Sequence, residues 1–440
     1  MKQKIGVVGL GHVGLPIVAA LANVGYQVIC IDVDREKVKK LQQTYEPPMY
    51  EPGLSETMKL NQEKIEFTVD YDYFMKECSA ILITVGTPVK ADGTPDYELL
   101  NSAITSIGKK LRKGQLIVLK STVVPGTTEN LVAPKLEELS GLKAGSDFYV
   151  AFCPERTIEG LALYELYTLP KIVGGVDAKS ADRAAAVIRK LGGRIIKVSS
   201  PRVAEICKLV DNLYRAMNIG LGNEIGQICE KLGIDAYEVT CAVNTAYART
   251  HLYRAGLGAD GPCLSKDPQI LRSYAREKGL DTDMLEACVI TNEKATSRVA
   301  SICSRFIKSK KISTPQVSLV ELAFKGFPET DDLRGSPAIK IHNALKREFS
   351  KIEFKYYDPF IKNFLGNSTA ETLNGCIKNS NVVLFLTDHQ SFMNIDVKDI
   401  LKNAGRPLLI VDCWHNITNP EIKEKDVKIF RIGDGLSSKF

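Results

Sequence analysis

A chain of 440 residues is long enough for two or three domains, each burying a core of its own. Its 44% hydrophobic and 25% charged residues are those of an ordinary globular protein, and no apolar run approaches a membrane span. A net charge of +6, without a basic tail or an aromatic-interleaved basic stripe, argues against a nucleic-acid partner, while the small surplus of Lys and Arg suits phosphate-bearing substrates.

The 11 cysteines are scattered with no C-x-x-C pair, so the expectation is no metal site, no disulfide framework and a reducing, cytoplasmic setting. Met1-Lys2-Gln3-Lys4 runs directly into an apolar stretch and carries no signal-peptide pattern.

The first predicted strand, from Lys4, leads into Gly9-Leu-Gly11-His12-Val13-Gly14 and then an Ala/Leu-rich helix reaching Asn23. A second strand, Gln27 to Asp32, ends in an acid eighteen residues after Gly14. This strand–loop–helix–strand–acid order is the context a dinucleotide fingerprint needs. Gly9 makes the turn, Gly11 admits the pyrophosphate, and Gly14 lets helix and strand pack closely. Asp32 accepts from the ribose hydroxyls, which favours NAD over NADP.

Glu46-Pro-Pro-Met-Tyr-Glu51-Pro-Gly reads as a loop from its prolines. Ala80-Ile-Leu-Ile and Leu116-Ile-Val-Leu are buried parallel strands. They end in Thr84-Val-Gly86-Thr87-Pro88 and Lys120-Ser121-Thr122-Val-Val-Pro-Gly126. Ligands gather at the carboxyl ends of such strands, where Thr87 and Thr122 fall, although threonines there also serve as turn caps. Phe148 to Phe152 is the next strand, and Cys153-Pro-Glu155-Arg156 with Glu159 follows as a charged loop. That loop reads equally well as site residues or as a solvated connection.

Ser199-Ser-Pro201 is a helix start, with serine as cap and proline in the first turn. Apolar residues then recur at helical spacing to about Gly233, a length suited to joining two domains and carrying a dimer face. Lys208 and Asn212, four apart, share one face of it. Gly256-Leu-Gly-Ala-Asp260-Gly261-Pro-Cys263-Leu-Ser265-Lys-Asp267 is a glycine loop that presents one thiol near a lysine and an aspartate. Together these supply a nucleophile, a cation for a developing oxyanion and an amide to hold it.

After about residue 300 strands and helices alternate again, predicting a second parallel sheet covered on both faces. Val317 to Lys325 is a strand entering the polar loop Thr330-Asp-Asp-Leu-Arg334-Gly-Ser336-Pro337. A second Gly-x-Gly-x-x-Gly is absent, so this half does not bind a second dinucleotide in the same way.

Ala204-Glu-x-x-Lys208-x-x-x-Asn212 with Gly-Pro-Cys263-Leu-x-Lys-Asp267 resembles the UDP-glucose / GDP-mannose / UDP-N-acetylmannosamine dehydrogenase family over nearly the whole chain. The resemblance implies two Rossmann-like doubly wound α/β domains joined by a central helical domain. The expected limits are 1–198 for the NAD domain, 199–299 for the central dimerisation domain and 300–440 for the UDP domain. It implies a homodimer or larger homo-oligomer that oxidises C6 of a UDP-sugar to a carboxylate with two NAD.

By the same resemblance, Cys263 is the nucleophile, Lys208 and Asn212 serve the oxyanion, and Glu155, Thr122 and Asp267 serve hydrolysis. Lys37 assists the adenosine end, Glu159 lies at the nicotinamide end, and Arg334 stands between cofactor and substrate phosphates. Arg156, Gly261 and Lys325 contact substrate, and Arg249 reaches the sugar held by the neighbouring subunit. Cys-Pro-Glu-Arg leans to the N-acetylhexosamine branch and UDP-N-acetylmannosamine, with UDP-glucose open. Two other readings are a two-electron β-hydroxyacid dehydrogenase and a non-catalytic nucleotide-sugar-binding protein. Asp260 and Ser265 depart from the family's usual glycine and proline, and Asp260 is expected to face solvent.

Overall fold

The computed structural model describes residues 4–418, 420, 422 and 424–436, so the first three residues of the expected leaderless start lie outside the described residues. The chain forms two compact units, Met1–Asp211 with Gln269–Asp281, and Asn212–Pro268 with Thr282–Phe440.

The first unit is built on eight strands: β1 (Lys4–Val8), β2 (Gln27–Ile31), β3 (Ile65–Thr68), β4 (Ala80–Ile83), β5 (Leu116–Leu119), β6 (Tyr149–Phe152), β7 (Lys171–Gly175) and β8 (Ile195–Lys197). Their order is β3-β2-β1-β4-β5-β6-β7-β8, parallel except where β6 meets β7. β4 and β5 are buried at every position because helices cover both faces, which is why these segments read as unbroken apolar runs. The direction of strand addition switches between β1 and β4, opening a crevice at their carboxyl ends. Helix α1 (Gly14–Asn23) is buried from Gly14 to Ala22, so small and aliphatic residues occupy all its faces.

The second unit holds a five-stranded parallel sheet. Its order is β10 (Glu353–Tyr357), β9 (Gln316–Val320), Val382–Phe385, Leu408–Asp412 and Val427–Arg431. One face packs on helices Asp283–Ser309 and Pro337–Glu348 through Cys303, Phe306, Ile341 and Leu345. The other face buries Val383, Phe385 and Ile410 against Cys376, Val397 and Ile400.

The long helix runs Pro201–Leu232. Ser200 Oγ accepts from Val203 N at 3.3 Å, so the expected serine cap forms. Its 32 residues span about 48 Å at 1.5 Å per residue. The boundary between the two units falls inside it, after Asp211.

Candidate active site

In the first unit the dinucleotide turn has the stereochemistry its glycines promise. Gly9 adopts φ +96°, and a Cβ on Gly14 would overlap the Gly9 carbonyl oxygen. A Cβ on Gly11 would meet nothing within 4 Å, leaving open space over the turn. Asp32 Oδ2 accepts from Leu10 N at 2.7 Å and from Lys37 Nζ at 3.2 Å, so Lys37 secures the acid that follows β2. His12 is half-buried and Val13 exposed at the start of α1, where the N-cap position makes no side-chain hydrogen bond to the helix. Crowded Gly9 and Gly14, an open Gly11 and an acid at the end of β2 fit NAD, with the pyrophosphate at the helix N-terminus.

Adjacent strands β4, β5 and β6 bring Thr87, Thr122 and Glu155 to one end of the sheet. Thr87 Oγ1 donates to the Thr122 carbonyl at 2.6 Å, tying the first two loops together. Glu155 Oε1 accepts from Arg156 N at 2.8 Å and Thr157 N at 3.1 Å. Burial pushes the Glu155 carboxyl up, but the Lys120 and Lys171 ammonium groups and those two amides outweigh it and hold it below the usual glutamate value. Arg156 Nε lies 2.7 Å from Asp211 Oδ2, and Glu159 is half-buried in the same loop. Lys208, one turn of the long helix before Asn212, is almost fully buried.

Four asparagines position the chain ahead of the cysteine in the second unit. Asn244 takes Leu252 at both backbone groups, at 2.8 Å and 2.9 Å. Asn218 Oδ1 accepts from Tyr253 N at 3.1 Å, Asn223 Oδ1 from Gly256 N at 2.7 Å, and Asn292 Oδ1 from Ala259 N at 2.8 Å. Gly261 then adopts φ +86°, and a Cβ there would overlap the Phe324 ring. Cys263 follows on the one-turn helix Gly261–Leu264 and is exposed. Asp267 is fully buried, with Asn212 Nδ2 at 2.6 Å from one oxygen and Lys266 Nζ at 2.5 Å from the other.

One expectation fails here. The Asp260 side chain is only 6% exposed and pairs with Lys340 in helix Pro337–Glu348 rather than facing solvent. Thr296 Oγ1 also lies 3.5 Å from its Oδ2. Burial pushes the Asp260 carboxyl up, and the Lys340 ammonium only partly offsets it. At φ −92° and ψ −177° the backbone is extended, so a non-glycine residue fits without strain.

The loop after β9 carries Lys325, whose Nζ donates to the Pro328 carbonyl, and Arg334, whose guanidinium forks the buried Asp332 carboxylate at 2.7–3.0 Å. Gly335 meets Gly261 through its carbonyl, at 3.5 Å from Gly261 N. The second unit therefore sets the thiol loop directly against the Lys325–Arg334 loop. Arg249 is exposed, with its guanidinium 4.7 Å from the Tyr247 ring. Sequence reasoning gave no role to Lys120, the pinning asparagines or Lys340. Lys120 stood in view beside Thr122, but a lysine at a strand end reads as solvated.

Two nucleotide-type sheets, the first with a dinucleotide turn beside a strand-end carboxylate, define an NAD-dependent oxidoreductase. Residues 3–192, 202–294 and 319–420 match, in turn, the NAD binding, central and UDP binding domains of the UDP-glucose/GDP-mannose dehydrogenase family, and the chain belongs to that family. Its similarity to the UDP-N-acetyl-D-mannosamine dehydrogenase of Pyrococcus horikoshii is 31% identity over 96% of this chain and 97% of that protein. The solved structure of the Pyrococcus enzyme superposes with a TM-score of 0.89 over 99% of this chain and 100% of that one. The UDP-N-acetyl-mannosamine dehydrogenase of Staphylococcus aureus follows at 30% identity and TM-score 0.83, covering 98% of each chain. A UDP-glucose dehydrogenase of Pyrobaculum islandicum, 27% identical, superposes at 0.85 over 99% of this chain and 98% of that one. The protein is thus an NAD-dependent UDP-sugar dehydrogenase. No helix among the described residues is long and apolar enough to cross a membrane.

Proposed function

We propose that the protein oxidises the C6 hydroxymethyl of a UDP-N-acetylhexosamine, foremost UDP-N-acetylmannosamine, to the uronate. The carrying observation is the full-length match to the Pyrococcus UDP-N-acetyl-D-mannosamine dehydrogenase, joined by the Cys153-Pro-Glu-Arg156 loop. UDP-glucose is the second reading, favoured by the Pyrobaculum match.

Gly9, Gly11, His12, Val13, Gly14, Asp32, Lys37, Thr87, Thr122, Glu159 and Arg334 would hold NAD, which would supply the hydride acceptor for each of the two oxidations. Once C6 is an aldehyde, the Cys263 thiolate adds to it and forms a C–S bond. Lys208 and Asn212 donate to the oxyanion that develops. The second oxidation leaves a thioester on Cys263. Glu155 then takes a proton from water, oriented with Thr122 and Asp267, as the water oxygen attacks the carbonyl carbon. The C–S bond breaks, Cys263 leaves as thiolate, and the acid loses its remaining proton to solvent. Arg156, Gly261, Lys325 and, from a second copy, Arg249 bind the nucleotide sugar.

That second copy has a surface to meet. Val203, Val210, Tyr214, Leu221, Ile228 and Leu232 are all exposed along the long helix, at intervals of seven and four that form one stripe. We assign this stripe to a homodimer interface. The 11 scattered cysteines, with no C-x-x-C pair in the sequence, support a reducing, cytoplasmic setting.

The deciding experiment supplies limiting UDP-N-acetylmannosamine, UDP-N-acetylglucosamine, UDP-N-acetylgalactosamine or UDP-glucose with excess NAD+ and counts NADH. Two NADH per UDP-N-acetylmannosamine is the expected result. One NADH per sugar would remove the thioester, and two NADH from UDP-glucose alone would install the second reading.

A further inference from the structure

Lys120 directly follows β5 and is buried inside the first unit, which for a lysine demands a compensating partner. Its ammonium reaches three atoms: the Cys153 carbonyl at 3.1 Å, Cys153 Sγ at 3.7 Å and Glu155 Oε2 at 3.4 Å. Burial pushes the Cys153 thiol up, so that thiol stays neutral and Glu155 is the charge Lys120 faces. The glutamate is held unevenly. Two backbone amides fix Oε1, whereas Oε2 is buried and meets the Lys120 ammonium at 3.4 Å as an ion pair, with no hydrogen bond completing its acceptor capacity. A buried acceptor in that condition calls for a water or substrate group.

We propose that Lys120 is a positioning residue for the hydrolytic half-reaction, anchored by Cys153 so that its ammonium fixes the Glu155 carboxylate with Oε2 presented to the attacking water. The inference rests on the proposed thioester route. In the step itself Oε2 accepts one water proton while the C–O bond forms and the C–S bond breaks, and Lys120 gives up no proton.

The other titratable groups around Glu155 do not take this role. Lys171 Nζ donates to the Glu165 carbonyl at 3.1 Å, and its influence on Glu155 is through space. Glu165 spends Oε2 on Ile158 N at 2.7 Å, and Arg156 is paired with Asp211. Lys120 is the ammonium in ion-pair contact with Glu155 among the described residues.

The test compares the wild type with Lys120→Met, Lys171→Met, Glu155→Gln and the double variant Lys120→Met/Glu155→Gln. NADH release and the sugar adduct on Cys263, read by intact mass after acid quench, are followed against pH. Lys120→Met is expected to release NADH, accumulate adduct and slow turnover about 10- to 100-fold, part of the roughly 100- to 10,000-fold share of the general base it positions. Its acidic limb is expected to move up by about one unit or more, because a buried carboxylate without its cation holds a proton longer. Lys171→Met moves that limb less, and the double variant is no slower than Glu155→Gln alone. An unshifted limb without adduct, or losses that multiply in the double variant, would overturn the proposal.

Should Lys120→Met fail to fold, infrared difference spectra of wild type against Glu155→Gln decide. The protonated Glu155 band is expected only below the ordinary glutamate range, and its appearance within or above that range overturns the claim. A wild type silent with every UDP-sugar counts against the proposed function instead, while infrared spectra of Lys171→Met, which need no turnover, still judge Lys120: a Glu155 band that stays below the ordinary range without Lys171 supports it, and one that rises into that range overturns it.

Discussion

Asn212 and Asp267 are joined in the interior, amide to carboxylate, at 2.6 Å, and the second oxygen of that carboxylate belongs to Lys266. A residue proposed to hold an oxyanion is thus itself oriented by the acid that closes the cysteine loop. Asn212→Asp would set two carboxylates against each other, so one must keep its proton or the pair must part. We expect the variant to melt below wild type at pH 8 by an amount equivalent to about 1–3 kcal/mol, with the gap narrowing at pH 5. Paired thermal melts at the two pH values check this; equal gaps would remove the direct contact.

Asp260 and Lys340 are expected to respond unequally. The carboxyl's folded pKa is raised by burial, so its contribution to stability is unfavourable above that pKa and is relieved as pH falls through it. Asp260→Asn should therefore leave neutral-pH stability unchanged or slightly higher and flatten its dependence on acid. Lys340→Met strands the buried carboxylate and should cost about 1–3 kcal/mol, largely recovered in the double variant. Denaturant melts of the four proteins give the cycle.

Gly261→Ala confronts both a positive φ and the Phe324 ring. We expect a cost of about 1–3 kcal/mol and a misplaced thiol. Adding Phe324→Ala should relieve the overlap and recover only part, since the backbone penalty stays. Melting and the rate of Cys263 alkylation report the two effects separately.

Among the 11 thiols only Cys241 and Cys263 are exposed. Two rapid equivalents per chain are expected with a disulfide reagent, one after Cys241→Ser, and a nucleotide sugar should protect that last one. A third, slower equivalent would report half-buried Cys207, and more than three would contradict the packing around the eight buried thiols.

Leu221→Arg together with Ile228→Arg places two charges in the apolar stripe of the long helix. Sedimentation should show a homodimer in the wild type and monomers in the variant. A wild type that sediments as a monomer removes the dimer assignment.

Much of this architecture is legible in local sequence, because local physics decides it. Ala80-Ile-Leu-Ile, short and unbroken before a small-residue loop, reads as a strand buried on both faces, and Ser200-Pro201 ahead of a helical apolar period reads as a helix start. Gly9 and Gly14 declare the turn because no other residue fits there. Asp260 misleads because its partner is Lys340, far away in sequence and one turn into a helix, and an acid in a glycine loop otherwise reads as solvated. Lys120 is obscured for the same reason: its burial depends on a carbonyl, a thiol and a carboxylate from the loop that follows the neighbouring strand. The asparagine pins were invisible too, since each of Asn218, Asn223, Asn244 and Asn292 bonds to backbone, which has no sequence signature.

The wedge of Gly261 between Phe324 and Gly335 gives the second unit the character of a gauge. Lys325 and Arg334, proposed for phosphate, and Cys263, proposed for C6, stand at two marks on one body whose spacing is set by backbone in contact with backbone. Such a gauge measures the span from diphosphate to the sugar's terminal carbon and is blind to what the ring carries between. Discrimination between an N-acetyl group and a hydroxyl must then reside elsewhere, and exchanging it should alter which sugar enters without altering where the thiol strikes.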